Sequence, residues 1–161
     1  MELPASLRGI GSYAFDFCIG LTSVQFPVGL LRIGDYAFRG CSRLTSVQFP
    51  AGLVAIGHYV FDCCSGLVSM QLPTRLGFIG NYAFAFCSGL GSIVFPAGLE
   101  FVGKHAFTGC VKLSSLHFPP GFKQVCDFAF ALCAGIARVE IPETADVRDR
   151  AFPPGCSITR V

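Results

Sequence analysis

Nine cysteines are the residues of this 161-residue sequence with the clearest capacity for chemistry. A thiol can form a disulfide, bind a metal ion, attack an electrophile as a thiolate, or fill a protein interior as a small apolar group. Six of the nine recur at intervals of 23 residues, each three positions after a phenylalanine, and form what we call the thiol column: Cys18, Cys41, Cys64, Cys87, Cys110 and Cys133. Their role depends on the repeating structure that positions them.

The thiol column belongs to a repeat that extends along the chain. Its unit reads L-x-x-V-x-F-P-x-x-L-x-x-I-G-x-Y-A-F-x-x-C. The alternation V-x-F is typical of a β-strand, and proline ends that strand because it has no N–H to donate. Glycine after the isoleucine suits a sharp bend of the backbone. The spacing of Phe and Cys in Y-A-F-x-x-C predicts a single helical or 3₁₀ turn in each repeat.

A single repeat cannot bury its apolar side alone, whereas stacked repeats share a continuous core. We therefore expect an α/β repeat solenoid of about seven 23-residue units, with equivalent short strands paired in parallel about 4.8 Å apart. It is predicted to be one domain over residues 1–161, with an uncapped N-terminal edge and an irregular C-terminal coil over residues 143–161. The equivalent phenylalanines, which we call the phenylalanine column, should form an aromatic spine: Phe15, Phe38, Phe61, Phe84, Phe107 and Phe130.

This repeat resembles the BspA-like (Treponema pallidum type) leucine-rich repeat family over essentially the whole chain. The resemblance is carried by the string I-G-x-Y-A-F-x-x-C-x-x-L-x-x-V-x-F-P. It implies a right-handed, leucine-rich-repeat-like coil with a parallel sheet on one face. The asparagine ladder of ordinary leucine-rich repeats is absent from the pattern. The resemblance also implies an interaction or adhesion module, often at microbial or protist cell surfaces, without shared catalytic residues.

Thiols stacked in this way favour a buried, free state. Neighbouring Cα atoms about 5 Å apart fall within disulfide range, but parallel Cβ vectors keep the Cβ atoms farther apart than a disulfide prefers. Metal binding is disfavoured, because there is no C-x-x-C and the histidines lie in three different columns: His58, His105 and His117. Free thiols favour a reducing intracellular or organellar compartment and the family resemblance favours a cell surface, so localisation stays open. The remaining cysteines are either reactive or incidental: Cys63, Cys126 and Cys156.

The composition argues against several classes of function. Hydrophobic residues make up 52% and charged residues 14%, and the net charge of +2 is too small to indicate nucleic-acid binding. No apolar run approaches the ~20 residues of a membrane span, so no transmembrane segment is expected. The repeated columns lack a carboxylate pair and a Gly-rich phosphate loop, so we expect no enzyme, no cofactor and no metal site. A pairing of Cys63 with His58 stays open, although nothing in the sequence orients it.

Two surface columns could bind a protein partner. Outward positions of the predicted strands form a polar strip that varies towards the C-terminus: Gln25, Gln48, Gln71, Val94, His117 and Glu140, with Arg138 ending the neighbouring serine column. The position before each thiol-column cysteine, which we call the pre-cysteine column, holds Phe17, Phe86 and Leu132. We expect these three side chains to be exposed, and exposed apolar patches mark contacts with proteins or membranes.

These columns support two hypotheses for function. The first is a non-catalytic protein–protein interaction module that uses the polar strip as its recognition face. The alternative is a structural accessory subunit of a larger, membrane-associated or organellar assembly, held through the apolar pre-cysteine residues and the N-terminal edge. A plain solvated sheet face explains the polar strip as well. The sequence therefore leaves the partner unidentified.

Overall fold

Two rows of short strands run along the molecule, and each complete coil of the chain contributes one strand to each row. The computed structural model describes all 161 residues. The first row, which we call the strand face, comprises β2 (Ser23–Gln25), β4 (Ser46–Gln48), β6 (Ser69–Gln71), β8 (Ser92–Val94), β10 (Leu116–His117), β12 (Arg138–Ile141) and β14 (Ser157–Arg160). The second row comprises β1 (Gly9–Ile10), β3 (Arg32–Ile33), β5 (Ala55–Ile56), β7 (Phe78–Ile79), β9 (Phe101–Val102), β11 (Gln124–Val125) and β13 (Asp146–Val147).

The strands follow the alternation seen in the sequence. In β4 the Val47 side chain is buried, whereas the flanking Ser46 and Gln48 side chains are exposed. Val47 pairs with Val24 on one side and with Met70 on the other, in parallel and at the repeat interval. The prediction of a parallel-strand, leucine-rich-repeat-like solenoid of about seven coils is therefore confirmed.

The predicted helical or 3₁₀ turn is wrong, because the structure contains no helix. In the Y-A-F-x-x-C segment two positions of each coil adopt positive φ, as at Tyr36 (61°) and Gly40 (69°), which breaks a right-handed helical path. Alternate backbone N–H groups then point out of the coil. The N–H of Tyr36 donates to the carbonyl of His58 at 3.0 Å, and the N–H of Phe38 donates to the carbonyl of Val60 at 2.9 Å. Hydrogen bonds to the next coil therefore replace those of a helix.

The phenylalanine column forms the predicted aromatic spine. The rings of Phe38 and Phe61 stack with centroids 5.4 Å apart and planes 8° apart, and those of Phe107 and Phe130 stack at 5.1 Å. All members of the column are inaccessible to solvent except Phe15, in the first coil, which is partly buried. Apolar strand residues and the thiol column surround the spine and complete one continuous core.

The last coil, residues 143–161, is shorter than the others and still joins both rows. Val147 pairs with Val125 in the second row, and Ile158 pairs with Val139 on the strand face. The guanidinium of Arg160 ties this coil together by donating to three backbone carbonyls, those of Pro142, Glu143 and Ala145, at 3.1, 3.3 and 2.7 Å. No helix suited to crossing a membrane is found.

Truncation of one spine residue should destabilise the whole stack. We expect Phe84→Ala to lower the free energy of unfolding by about 3–5 kcal/mol, because the cavity left between Phe61 and Phe107 cannot collapse in a stacked core. Phe86→Ala is a matched control, because that ring is 47% exposed and its loss should cost about 1 kcal/mol. Urea unfolding of both variants measures the difference. A Phe84→Ala loss no larger than that of the control would contradict the stacked core.

Candidate functional site

The thiol column is part of the packing between coils. Five of its six members are buried, and Cys18, in the first coil, is exposed. Each buried thiol lies against the carbonyl oxygen of the phenylalanine in the preceding coil, as Cys87 does against Phe61 at 3.2 Å and Cys64 against Phe38 at 3.1 Å. That carbonyl also accepts the backbone N–H of a residue in its own coil. The S–H group therefore supplies a second donor to a buried carbonyl oxygen, which a plain apolar side chain would not do.

Burial also suppresses the reactivity of these thiols. Desolvation raises the pKa of Cys41 to about 11 and raises the pKa of Cys64 and Cys87 as well. The exposed Cys63 has a pKa raised to about 11, first by partial desolvation and then by the Asp62 carboxylate beside it. These groups are neutral at physiological pH, and a neutral thiol is a poor nucleophile. No group of three His, Cys, Asp or Glu side chains is arranged to hold a metal ion.

A ladder of side-chain hydrogen bonds also joins successive coils, and it was not predicted from the sequence. Asp35 accepts the backbone N–H of His58 at 2.8 Å, His58 accepts that of Asn81 through Nδ1 at 2.9 Å, and Asn81 accepts that of Lys104 at 2.9 Å. Each member is therefore an acceptor for the equivalent residue one coil later. All three side chains carry a hydrogen-bond acceptor close to the backbone. Because only one of them is an asparagine, the sequence pattern did not indicate a ladder. This bonding also occupies His58 in a structural role.

The polar strip predicted from the sequence lies on the strand face. Gln25, Gln48 and Gln71 stand side by side on β2, β4 and β6, and Val94 follows on β8. Further along, His117 lies opposite Glu140, with Nδ1 3.2 Å from a carboxylate oxygen. In the neighbouring serine column, Arg138 lies opposite Ser157. The candidate residues thus form two groups rather than one continuous strip.

The two groups are separated by a break in the sheet. No backbone hydrogen bond joins β8 to β10, although β8 pairs with β6 and β10 pairs with β12. A cleft of about 220 Å³ lies at the break, between Val94 and His117, with the rings of Phe95 and Phe118 beneath. The break coincides with Phe122, which replaces the leucine of the other repeats and brings its ring 4.5 Å from that of Phe118.

The apolar pre-cysteine residues are exposed, as expected, but two of them have packing partners. A Cβ on Gly109 would come within 2.7 Å of the Phe86 ring, and the Phe17 ring occupies the same place over Gly40. Both glycines have positive φ. The absence of a side chain therefore permits this backbone conformation and also leaves room for the phenylalanine ring. The Arg39 guanidinium also covers Phe17, at 5.0 Å from the ring centroid. These phenylalanines therefore help to join successive coils.

A continuous stack of rings runs beside the pre-cysteine column. Its members, which we call the tyrosine column, are Tyr13, Tyr36, Tyr59, Tyr82, His105 and Phe128, with successive centroids 4.7, 4.5, 4.6, 4.7 and 5.0 Å apart. A cavity of about 600 Å³ opens where this stack ends, beside Leu132 and Arg150. Leu132 was predicted to lie on the surface, whereas the cavity was not predicted, because its walls come from three successive coils.

Selective thiol labelling tests whether the buried members of the thiol column are unreactive. We expect a disulfide reagent such as Ellman's to label Cys18 and Cys63 in the folded protein, and to reach Cys41 and Cys87 only after denaturation. Because the pKa of Cys63 is raised to about 11, its labelling rate should rise about tenfold per pH unit near neutrality. A Cys63→Ser control separates its rate from that of Cys18. Labelling of Cys87 without denaturant would be inconsistent with the buried column.

The raised thiol pKa values also predict a loss of stability at alkaline pH. The folded protein holds the thiol protons of Cys41, Cys64 and Cys87 more tightly than the unfolded chain does, so this stabilisation is complete below the ordinary thiol pKa of about 8.5. It is lost as the pH rises from there towards the folded pKa, by up to about 1.4 kcal/mol per pH unit for each thiol. Urea unfolding at a series of pH values measures the slope. Cys87→Ala should be less stable but show a shallower slope, and an unchanged slope would rule out this linkage.

Comparison with known proteins agrees with this architecture. The profile of the BspA type leucine rich repeat region matches the sequence in six copies, over residues 1–110 and 77–161. The structure is similar to the crystal structure of the leucine rich repeat protein TpLRR of T. pallidum, with a TM-score of 0.88 and 28% identity, covering 97% of this chain and 78% of that one. A leucine-rich repeat protein from Bacteroides ovatus matches with a TM-score of 0.69 and 26% identity, covering 92% of this chain and 47% of that one.

A third solved structure, a leucine rich cell surface protein from Faecalibacterium prausnitzii, shares the fold at 24% identity with a TM-score of 0.63, covering 95% of this chain and 53% of that one. A search of curated proteins finds no match. The repeat profile extends over both halves of the sequence, and the fold is similar to that of the T. pallidum protein. The chain therefore belongs to the BspA-type leucine-rich repeat family.

Proposed function

We propose that this chain is a non-catalytic protein-binding module and that it recognises its partner through the strand face at the break between β8 and β10. The observation that carries the proposal is the break itself. Sheet edges present unpaired N–H and C=O groups, and such groups are templates for contact with another chain. Here they lie inside an otherwise continuous face, where β8 and β10 each lack a partner on one side.

The side chains around the break form an apolar centre with polar neighbours, as in protein recognition sites. Val94 is 78% exposed and stands where the preceding repeats have glutamine. Below it, the buried rings of Phe95 and Phe118 form the apolar floor of the cleft. Interfaces concentrate binding energy in a small apolar centre surrounded by polar groups, and the glutamine row supplies that polar surround.

The contact between His117 and Glu140 next to the cleft can adapt to a partner. The two side chains are 75% and 43% exposed, and an exposed polar contact of this kind contributes about 1 kcal/mol or less to stability. Rearranging this pair on binding therefore costs little. With Arg138 nearby on β12, the face carries both signs of charge next to its apolar centre.

The alternative, a structural accessory subunit held through Phe17, Phe86 and Leu132, has weaker support. Phe17 and Phe86 rest on Gly40 and Gly109, so their presence at the surface is accounted for within the chain. They also lie three coils apart and do not form one patch. The observations therefore favour the recognition module.

The proposal can be tested with a pair of valine variants. Val94→Arg places a charge over the cleft and should remove the partner captured by the wild-type chain, with at least about a tenfold loss of affinity once that partner is isolated. Val28→Arg is the matched control, because Val28 is 92% exposed and lies three coils away from β8. Affinity purification with quantitative mass spectrometry, followed by direct binding measurements, gives the readout.

A partner lost equally from Val94→Arg and Val28→Arg, or retained by both, would overturn the proposed binding face. A third variant, with Phe17→Ser and Phe86→Ser combined, tests the alternative. The recognition module predicts that this variant keeps its partner, whereas an accessory subunit would be released. Thermal melting of each variant ensures that losses are not due to unfolding.

A further inference from the structure

The cavity at the end of the tyrosine column is separate from the strand face and has its own structural cause. In earlier coils, Phe17 and Phe86 fill the space above a glycine of the next coil. Leu132 is the last member of the pre-cysteine column and is 65% exposed. Beyond it, the shortened last coil carries Pro153 and Pro154 in the cavity wall. A space of about 600 Å³ is left unfilled between these coils.

The same departure of the last coil leaves a backbone donor without an acceptor. In the preceding coils the N–H of the pre-cysteine residue donates to the next coil, as Gly109 does to the carbonyl of Ala131 at 2.9 Å and Phe86 to that of Thr108 at 2.6 Å. The N–H of Leu132 has no such bond. The backbone N–H groups that bond from one coil to the next all point in the same direction. The unpaired N–H of Leu132 therefore faces the last coil, at the positive end of the aligned peptide dipoles.

A free cation lies at the same place. Arg150 lines the cavity, and its guanidinium is 5.8 Å from the centroid of the Phe128 ring. It forms no ion pair, in contrast to Arg39 in an early coil, whose guanidinium bonds the Asp16 carboxylate at 2.7 Å. No Asp or Glu lines the cavity. Its charge is therefore uncompensated and favours an anion.

Apolar groups make up most of the remaining lining. Ala131, Leu132, Phe152 and the two prolines border the space with the Phe128 ring, and His105 and Thr108 complete its wall. A volume of about 600 Å³ is in the range of pockets that hold small organic ligands. A ligand with a flat apolar body can bury it against these groups while its charged group stays at the Arg150 side.

We propose that this cavity binds a small amphipathic anion, a flat aromatic body carrying one carboxylate or sulfonate group. The body packs against Leu132, Phe152 and the prolines, and the acid group accepts hydrogen bonds from the guanidinium of Arg150 and the backbone N–H of Leu132. The site uses a different face from the proposed protein-binding surface, so either can fail without the other.

A matched pair of probes tests the proposal. The two are 8-anilinonaphthalene-1-sulfonate and N-phenyl-1-naphthylamine, which have the same rings, but only the first has the anionic group. Fluorescence titration of the wild-type chain should show one site that binds the sulfonate about five- to tenfold more tightly than the neutral probe. Saturating sulfonate should also shift the amide resonance of Leu132 in a ¹H–¹⁵N correlation spectrum.

Three variants locate the site. Arg150→Gln should reduce sulfonate binding to the level of the neutral probe, whereas Arg148→Gln, with the same change of charge in the same coil, should leave both affinities unchanged. Ala131→Trp fills the cavity and should abolish binding of both probes. Equal wild-type affinities, equal effects of the two arginine variants, or full binding by a folded Ala131→Trp chain would each overturn the proposal. If Ala131→Trp does not fold, the arginine pair and the Leu132 resonance decide it.

Discussion

The structure depends on backbone N–H groups that each coil donates to carbonyls of the next coil through the Y-A-F-x-x-C segment. Bonds such as Tyr36 to His58 and Phe38 to Val60 stack successive coils in register. They require positive φ at two positions of every coil, and most of these positions are occupied by residues other than glycine. Such conformations cost roughly 1 kcal/mol or more each. The ring stacking and hydrogen bonds that follow from them offset this cost.

The thiol column adds a second set of hydrogen bonds between successive coils. The carbonyl of Phe61 lies in the core, accepts one backbone N–H, and has a second lone pair facing Cys87. A cysteine is small enough to fit beside the spine and still carries a weak donor. Alanine would leave the lone pair unmatched, and a larger side chain would push the coils apart. The cysteine at this position therefore reflects packing and hydrogen bonding, and burial keeps its thiol protonated.

Two departures from the repeat coincide with the surfaces that could bind ligands. Where Phe122 replaces a leucine, β8 and β10 separate and the cleft beside Val94 opens. Where the last coil shortens, Leu132 loses both the acceptor for its N–H and the neighbour that would cover it. The regular repeats thus form a rigid frame, and its few irregular positions create concave surfaces with unpaired polar groups. Such positions are where a solenoid can acquire specificity without altering its core.

Much of the architecture could be read from the sequence because it depends on periodicity alone. Residues at the repeat interval must stack, so the Phe38–Phe61 contact and the register of Val24 with Val47 follow from their spacing. The exposure of Phe17, Phe86 and Leu132 was also predicted, although the helical turn on which that prediction relied was wrong.

Tertiary structure decided the path of the turn, the break in the strand face and the cavity near Arg150. The sign of φ at Tyr36 is not encoded by residue type, since tyrosine ordinarily avoids that region and adopts it here only because bonds to the next coil stabilise it. The break lies where the rings of Phe118 and Phe122 pack together, and the cavity is lined by residues of three coils. Such packing between coils is not contained in a linear pattern.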